Sequence, residues 1–461
     1  MLMKKRAAIK YLLSVGMAGL LVGMCTTANA SAFQLFEYNG VNAGDFGAGA
    51  AAIADDASTA YANPAGMVMI PNQQIVLSEN AIITDIQFKG TETWRSTDPM
   101  VPSGYSSTQS GVAQGGGTKF VPAFHYVTPL SDRWAFGFSV LSPYGLVTNY
   151  GTDSVLRYSG TDTELKTIDL SPSIAFKATD KFSVGAGIDA EHLDATFNGV
   201  VGAPPSAPAG SPGALDTRSL NDGSAWGYGW HAGLLYQFTP STRVGLAYHS
   251  QIRFDVNGTS KLEGPLVNEL QGGVIKRHDL HTNITLPPFT ELSAYHDFNQ
   301  QWSVDGSLIY TQWSDFNDVL HIQNVQGVQT VQTPTGSILT YQPVTVSVPM
   351  HFRNTWRVAV GANYHPTAKW ILRAGAGYDE SPVENTYRGV RLPDANRYAV
   401  ALGAHYQAIK TVGIDVGWTH LFIQNTRVNF NAVSGAQVAN STGTYSNHAD
   451  IIGAQLTWDI T

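Results

Sequence analysis

The stretch Phe182-Ser183-Val184-Gly185-Ala186-Gly187-Ile188-Asp189-Ala190 decides the fold, because its even-numbered residues are apolar and its odd-numbered residues are small or polar. A period of two is typical of a β-strand whose two faces meet different surroundings. The same alternation recurs in 244–256, 372–378 and 411–418. A soluble β-sandwich would show this period as well, so the lengths of the connections have to decide.

The connections alternate strictly between short and long. Short turns at one rim and long, polar, Gly/Pro/Ser-rich loops at the other (for example 89–117, 198–224 and 317–350) are typical of transmembrane barrels. Closure is also required, because an open sheet edge in lipid leaves backbone groups without partners. We therefore predict an all-β fold, a transmembrane antiparallel β-barrel of 14 strands over 73–461, with both termini on the periplasmic side. The predicted strands lie near 73–88, 118–128, 133–141, 165–177, 181–197, 225–238, 242–256, 281–298, 302–316, 351–364, 369–379, 395–407, 411–423 and 448–459.

The composition also favours a membrane barrel. Charged residues make up 13% of the chain, about half of the globular average of about 25%. No internal apolar run reaches the roughly 18 residues that a membrane-spanning helix needs. Tryptophan concentrates where barrel strands meet the membrane surface. We interpret most tryptophans as such a girdle rather than as a soluble core: Trp134, Trp226, Trp230, Trp302, Trp313, Trp356, Trp370, Trp418 and Trp458.

Residues 1–30 are predicted to be a cleaved signal peptide. A basic start is followed by the apolar stretch 11–24 and by Ala28-Asn29-Ala30, an A-x-A cleavage site, so Ser31 begins the mature chain. A lipoprotein attachment at Cys25 is disfavoured by the preceding Met24. Cleavage removes the only cysteine, which excludes disulfides and cysteine metal sites. The net charge changes from −8 to −12 because four cations and no acids leave, which argues against a nucleic-acid partner.

Residues 31–72 do not alternate and are predicted to form a hatch inside the barrel. The segment 47–58 is rich in small residues and is expected to form short helices, and 63–66 is a turn. About forty residues can fill part of a lumen, whereas an energised transporter needs a much larger plug.

An ordered set of motifs resembles the FadL-type outer-membrane long-chain fatty acid transporters. The set begins with the predicted mature start 31–35, the segment 49–57 and Asn63-Pro64-Ala65, and it spans nearly all of the mature chain. Any one tetrapeptide is weak, but the order makes the set specific. Its further members are Val121-Pro122 with His125, Ser142-Pro143-Tyr144-Gly145-Leu146, Trp226-Gly227-Tyr228-Gly229-Trp230-His231-Ala232-Gly233, Leu286-Pro287, Tyr310-Thr311-Gln312-Trp313-Ser314, Phe352-Arg353-Asn354-Thr355-Trp356-Arg357, Asp379-Glu380-Ser381-Pro382-Val383, and Leu392-Pro393-Asp394 with Asn396-Arg397.

The resemblance implies a passive route for a hydrophobic ligand. Ligand would be caught among the outer loops, move to a hydrophobic pocket beside the hatch and leave sideways where the third strand is kinked. The chain has no Gly-Lys dipeptide and therefore no P-loop, in keeping with a transporter that uses no nucleotide. Expected partners are a long-chain fatty acid or similar small molecule, outer-membrane lipid and the barrel-assembly machinery, with the chain as a monomer.

The resemblance also assigns roles to individual residues. Phe33 and Leu35, near the mature start, are expected to contact ligand. Asn63, Pro64 and Ala65 are expected to support the hatch rather than to touch ligand. Pro143 ends the third strand pattern and marks either the lateral opening or a plain strand end.

A fatty-acid carboxylate would need a cation, preferably an arginine. The alternation predicts that Arg253, Arg357, Arg373 and Arg397 point into the lumen, and Arg253 and Arg357 are the head-group candidates. They could instead pair with lumen acids such as Asp255 or Asp379. The positions that match the family's basic pocket residues hold the uncharged Gly199 and Val348. Aromatic or other hydrocarbons therefore remain an alternative ligand class.

Hypotheses from other classes of function find less support in the sequence. Neither G-x-S-x-G nor H-E-x-x-H occurs, so we predict no enzyme, no catalytic residues, no cofactor and no metal, although a lipid hydrolase could assemble a Ser/His pair by geometry. The H-x-x-H spacing of His278 and His281 is not expected to bind metal. An open porin is disfavoured by the hatch. The chain ends on Thr461 rather than an aromatic residue, so either Trp458 serves as the assembly signal or that signal is weak.

Overall fold

The computed structural model describes residues 32–97, 106–202, 213, 215–267, 274–334, 336–435 and 437–460. The predicted signal peptide and Ser31 lie outside the described residues. The strands are β1 (Gln73–Ser96), β2 (Ser106–Gln114), β3 (Gly117–Pro129), β4 (Trp134–Leu141), β5 (Gly145–Asn149), β6 (Asp162–Lys177), β7 (Phe182–Phe197), β8 (Gly199–Val201), β9 (Thr217–Thr239), β10 (Thr242–His249), β11 (Ile252–Glu263), β12 (Val274–Leu286), β13 (Phe289–Asp297), β14 (Trp302–Thr311), β15 (Val319–Thr333), β16 (Gly336–Pro349), β17 (Thr355–Thr367), β18 (Trp370–Asp379), β19 (Arg397–Ile409), β20 (Val412–Ile423), β21 (Thr426–Ser434) and β22 (Gln437–Ile460).

These segments form 14 antiparallel barrel strands, because eight of the strands are each built from two consecutive segments. The first and last strands close the barrel: β1 pairs with β22 along its whole length, from Gln73 opposite Ile460 to Ser96 opposite Gln437. The predicted fold class is therefore confirmed. Among the described residues, no helix has the length and apolar character of a membrane span.

The burial pattern of the strands is the reverse of that in a soluble protein, because polar side chains are buried and apolar side chains are exposed. In β7, the polar Ser183 and Asp189 are buried toward the lumen, whereas the side chain of Ile188 is 65% exposed on the outer wall. Lipid covers such a face in a membrane, so the apolar half of each strand meets the bilayer. The short turns lie at one rim of the barrel and the long connections at the other, the arrangement in which outer-membrane barrels place short turns at the periplasm.

Some of the predicted loops are strands in the structure. The segment 89–117 contains the end of β1 and all of β2, and 317–350 contains the β15–β16 hairpin. The reason is local: Val344, Val346 and Val348 alternate with polar residues, which favours a strand even outside the membrane. The barrel sheet thus extends into the outer loops and can enclose a site there.

The hatch is a run of short helices packed inside the barrel. It comprises α1 (Asn42–Asp45), α2 (Ala50–Ile53), α3 (Thr59–Ala62) and the 3-10 helix η1 (Pro64–Met69). Asn63 is fully buried and fastens this run. Its side chain accepts a hydrogen bond from the Ala65 amide (3.1 Å) and donates to the backbone oxygens of Ala51 (2.6 Å) and Leu234 (3.0 Å). Asn63 therefore caps η1 and ties the hatch to β9.

Two wall glycines allow this close approach. A Cβ atom added to Gly233 would lie 1.9 Å from the Asn63 side-chain oxygen, and one added to Gly245 would lie 1.8 Å from the Ala51 oxygen. Any side chain at these positions would push the hatch away from the wall, so the barrel strands that carry them are shaped to receive it.

We predict that Asn63→Ala loosens the hatch without opening the barrel. The change removes a helix cap and leaves buried carbonyl groups unpaired, a loss of about 1–3 kcal/mol. Hydrogen exchange of the amides in 63–69 should accelerate by about 5- to 150-fold. Asn299→Ala is the matched control, because Asn299 caps an exposed turn through the Gln301 amide (2.8 Å). Unchanged exchange in the Asn63 variant would contradict the assignment.

Candidate ligand cavity

Phe33 lies at the centre of a buried aromatic cluster on the long-loop side of the hatch. Its ring meets Trp313 edge-on at 4.8 Å between centroids and Phe316 at 5.4 Å. Tyr144 and Phe352 complete the cluster at 6.2 and 6.5 Å. The N-terminal segment is thus held inside the lumen rather than fraying at the mouth.

The girdle interpretation is wrong for Trp313. Strand β14 ends at Thr311, and the 3-10 helix η2 (Trp313–Asp315) carries the Trp313 ring into the lumen, where it is fully buried. The other eight predicted girdle tryptophans are 38% to 51% exposed on the outer wall. The period of two in fact indicated this difference: Trp313 shares the odd-numbered face of β14 with the buried Ser303 and Ser307, whereas Trp302 lies on the exposed even-numbered face.

The wall is interrupted at 142–144, between β4 and β5. The ladder between β3 and β4 runs only over 124–129 and 135–140, and β5 pairs with β6 on its other side. The N-terminal segment meets this break: the Leu35 amide donates to the Pro143 oxygen (2.8 Å), and the Gly145 amide donates to the Phe33 oxygen (2.7 Å). Above the break, the Asn149 amide donates to the Gly115 oxygen (3.0 Å), which closes the wall again.

Leu35 therefore acts through its backbone at this break. Its side chain packs with Ile82 and Val121 in a separate buried cluster. The structure does not bring Leu35 to the cavity described next, so the expected ligand contact is not supported by its position.

An open cavity of about 900 Å³ adjoins the Phe33 cluster. Phe352 belongs to both the cluster and the cavity lining. Much of the remaining lining is apolar and includes Phe197, Val346, Val348 and Leu392. The cavity can therefore shield a long apolar chain from water.

Arg391 is a charged group in the lining of this cavity. Its guanidinium lies 3.6 Å from the ring centroid of Phe197 and donates to the Thr163 hydroxyl (2.8 Å) and the Asp162 backbone oxygen (3.4 Å). Burial lowers the pKa of Arg391 to about 9, although the negative charge of Asp162 raises it in part, so the guanidinium stays protonated at neutral pH. Among the described residues, no carboxylate forms an ion pair with it.

Arg391 supplies the positive charge that positions 199 and 348 lack. Gly199 and Val348 both line the cavity, as the resemblance implied. A Cβ atom at Gly199 would lie 3.4 Å from the Nη2 atom of Arg391. The space beside Gly199 is thus taken by a cation from the loop 380–396, which no strand periodicity could have assigned.

The predicted lumen cations have other positions. Arg253 is exposed on the outer wall between the buried Ile252 and Phe254, so its predicted inward orientation is wrong. The cause is a shift in register: β9 pairs His231 with His249 but Ser224 with Asn257, so one extra residue at 250–251 inverts the faces of β11.

Arg357 points inward as predicted but holds the hatch. Its guanidinium lies 3.8 Å from the Phe46 ring centroid and donates to the Phe46 oxygen (2.7 Å). Arg373 pairs with Asp415 and Arg397 pairs with Asp394, each at 2.7 Å. These two arginines therefore pair with lumen acids, which is the alternative that the sequence analysis left open.

Comparison with known proteins places the chain in a family. The family model described as "Outer membrane protein transport protein (OMPP1/FadL/TodX)" matches residues 21–460. The chain belongs to this family. It is 29% identical over 434 residues to the "Long-chain fatty acid transport protein" of Escherichia coli (strain K12), covering 88% of this chain and 90% of that one. The chain is accordingly an outer-membrane β-barrel of a family of transporters rather than of enzymes.

Solved structures of the FadL family share the fold. A Pseudomonas aeruginosa FadL homologue superposes with a TM-score of 0.78 at 24% identity and covers 93% of this chain and 100% of that chain. The Ralstonia pickettii toluene transporter TbuX superposes with a TM-score of 0.62 at 22% identity, covering 92% and 98%. At these identities the likeness concerns the barrel and not the ligand.

A buried Ser–His pair of this FadL-family chain lacks the carboxylate that the triad of a hydrolase needs. Ser139 bonds the Nδ1 atom of His125 at 2.8 Å, but the other ring nitrogen bonds the Tyr38 backbone oxygen instead of a carboxylate. Both side chains are fully buried between wall and hatch. The pair therefore fastens the hatch and has no access to a lipid ester.

We predict that Trp313→Ala destabilises the barrel by about 3–5 kcal/mol, because it empties the space against Phe33. The free energy of unfolding in denaturant, followed for protein reconstituted in liposomes, measures this loss. Trp302→Ala is the control, since Trp302 is 47% exposed on the outer wall. Equal costs for the two substitutions would contradict an internal role for Trp313.

Proposed function

We propose that this FadL-family barrel takes up long-chain fatty acids, with the carboxylate at Arg391 and the apolar tail in the cavity beside the Phe33 cluster. The observation that carries the proposal is a half-buried guanidinium in a largely apolar cavity with no ion-pair partner among the described residues. Burying such a charge is costly unless an anion pairs with it. A ligand carboxylate supplies that anion.

The tail supplies most of the binding free energy. Each buried CH₂ group contributes about 0.8 kcal/mol, and the cavity offers apolar contact from Phe197, Val346 and Phe352. An arginine fork then orients the head group by charge-assisted hydrogen bonds. The two ends of a fatty acid therefore match two distinct parts of one site.

Aromatic hydrocarbons are the second candidate ligand class, because the fold is shared with a protein named as a toluene transporter. They would fill the apolar part of the cavity but leave the Arg391 charge without an anion. The name of the Escherichia coli relative favours fatty acids. We therefore rank a carboxylate ligand above a neutral one.

The proposed route passes from the cavity to the wall break at 142–144. Phe33 lies between them, since its ring contacts the cavity residue Phe352 and its backbone oxygen bonds Gly145 at the break. Withdrawal of the N-terminal segment from the break would give the ligand a sideways exit into the outer membrane. No energy source is needed for a passive step of this kind.

Arg391→Met should weaken binding of a labelled long-chain fatty acid by about 10- to 150-fold, because it removes a charge-assisted hydrogen bond of about 1.5–3 kcal/mol. Toluene binding and binding of the fatty-acid methyl ester should stay unchanged. Equilibrium binding to the purified barrel in detergent measures all three ligands.

Arg253→Met is the matched control, because that arginine lies on the outer wall. The proposal is wrong if Arg391→Met leaves fatty-acid affinity intact. Loss of ester and toluene binding together with that of the acid would instead mean that the substitution collapses the cavity.

Joining the wall across the break should stop transport but not binding. Val121 and Pro143 are opposite positions in the register that pairs Phe124 with Val140. Cysteines at both, bridged by a bifunctional thiol reagent, should block uptake of labelled fatty acid into cells, and a reducible reagent should allow recovery.

Cysteines at Val184 and Leu234, directly opposite each other on the closed wall, serve as the control pair. Normal uptake with the break bridged would contradict a lateral exit.

A further inference from the structure

A separate cluster of titratable side chains lies on the inner wall beside the hatch. It consists of Asp189 on β7, His231 on β9 and His249 on β10, and all three are buried. The ladders bring them together, because β9 pairs with both other strands and places His231 directly opposite His249. None of the three residues lines the ligand cavity.

The geometry is that of a potential ligand set for a metal ion. The Nδ1 atom of His231 lies 2.8 Å from the Oδ1 atom of Asp189, and the two imidazole rings stack at 5.2 Å between centroids. One donor atom from each residue lies within 4.8 Å of the others. Zinc bonds of about 2.0–2.1 Å place tetrahedral donors about 3.3 Å apart, so small side-chain rotations would close the set.

Unpaired polar atoms nearby supply a second, independent observation. His231 Nε2, His249 Nε2 and Asp169 Oδ1 are buried without hydrogen-bond partners among the described residues, and the buried carboxyl group of Glu191 has only the Thr167 hydroxyl near it. Asp169 lies directly opposite Glu191 in the β6–β7 ladder, and Glu191 shares the inward face of β7 with Asp189. Buried polar atoms normally have partners, so this concentration of unpaired atoms is what a site for a bound ion would show.

We propose that Asp189, His231 and His249 bind one Zn²⁺-class divalent ion, with the carboxyl groups of Asp169 and Glu191 close by on the same wall. Two imidazoles with a carboxylate suit zinc and its neighbours in the transition series, whereas Ca²⁺ and Mg²⁺ prefer sets made only of oxygen.

The bound ion would stiffen the wall where the hatch rests on it. The Tyr61 ring in α3 lies 4.6 Å from the His249 ring and 5.9 Å from the His231 ring. Rigid imidazoles would fix the surface against which Tyr61 packs. The site is therefore structural, and fatty-acid binding at Arg391 does not require it.

Cobalt titration of the full-length mature barrel tests the proposal. Untagged protein is stripped with a chelator, refolded with Co²⁺ in detergent and examined for the visible absorption of tetrahedral cobalt. One equivalent should bind, zinc should displace it, and His231→Gln and His249→Gln should each abolish the absorption. His420→Gln should keep it, although that residue also pairs with an acid, Asp450, at 2.8 Å.

X-ray absorption at the zinc edge keeps the test independent of how the variants fold. Wild-type protein loaded with one equivalent of Zn²⁺ should show two imidazole ligands and oxygen at about 2.0–2.1 Å. A shell without imidazole, absence of stoichiometric cobalt binding by the wild-type barrel, or full cobalt absorption in folded His231 and His249 variants would overturn the site.

Discussion

Every backbone N–H and C=O group that a strand places in a bilayer must find a partner within the protein, because the hydrocarbon interior contains no water. The barrel satisfies this constraint by pairing β1 with β22 and every strand with its neighbours. At the break between β4 and β5 the regular ladder stops, and the N-terminal segment supplies partners through the Leu35 amide and the Phe33 oxygen. The hatch is therefore part of the wall as well as a plug, and its movement would be coupled to the opening of the wall.

This coupling explains how the site is assembled. The hatch is held against β9 by Asn63 and against β17 by Arg357, and both residues bond hatch backbone. With the hatch fixed, Phe33 is carried to the aromatic cluster that adjoins the cavity. Lumen arginines such as Arg373 form ion pairs with neighbouring acids such as Asp415, whereas Arg391 faces the cavity. Structural and ligand-binding cations are thereby separated.

Periodicity predicted the elements that the bilayer enforces and missed those that depend on irregular backbone. The alternation around Ile188 gave the strand and its lipid-facing side correctly. The inward orientation of Arg253 was wrong, since one extra residue at 250–251 inverts the faces and leaves no mark in composition. Arg391 lies in a folded loop, where no period applies. Trp313 keeps the inward face of the odd-numbered residues of β14, a signal that the girdle interpretation overlooked. The three residues of the proposed metal site lie on different strands, so their spacing in sequence carries no motif.

A crystal structure of the barrel soaked with a fatty acid brominated near its carboxyl end tests the central claim most directly. The anomalous signal of bromine would locate the head group without reliance on the shape of the density. We expect the signal within the cavity and the carboxylate within hydrogen-bond distance of the Arg391 guanidinium. A head group bound at the hatch arginine Arg357 or in the outer loops, with no ligand atom within hydrogen-bond distance of the Arg391 guanidinium, would contradict it.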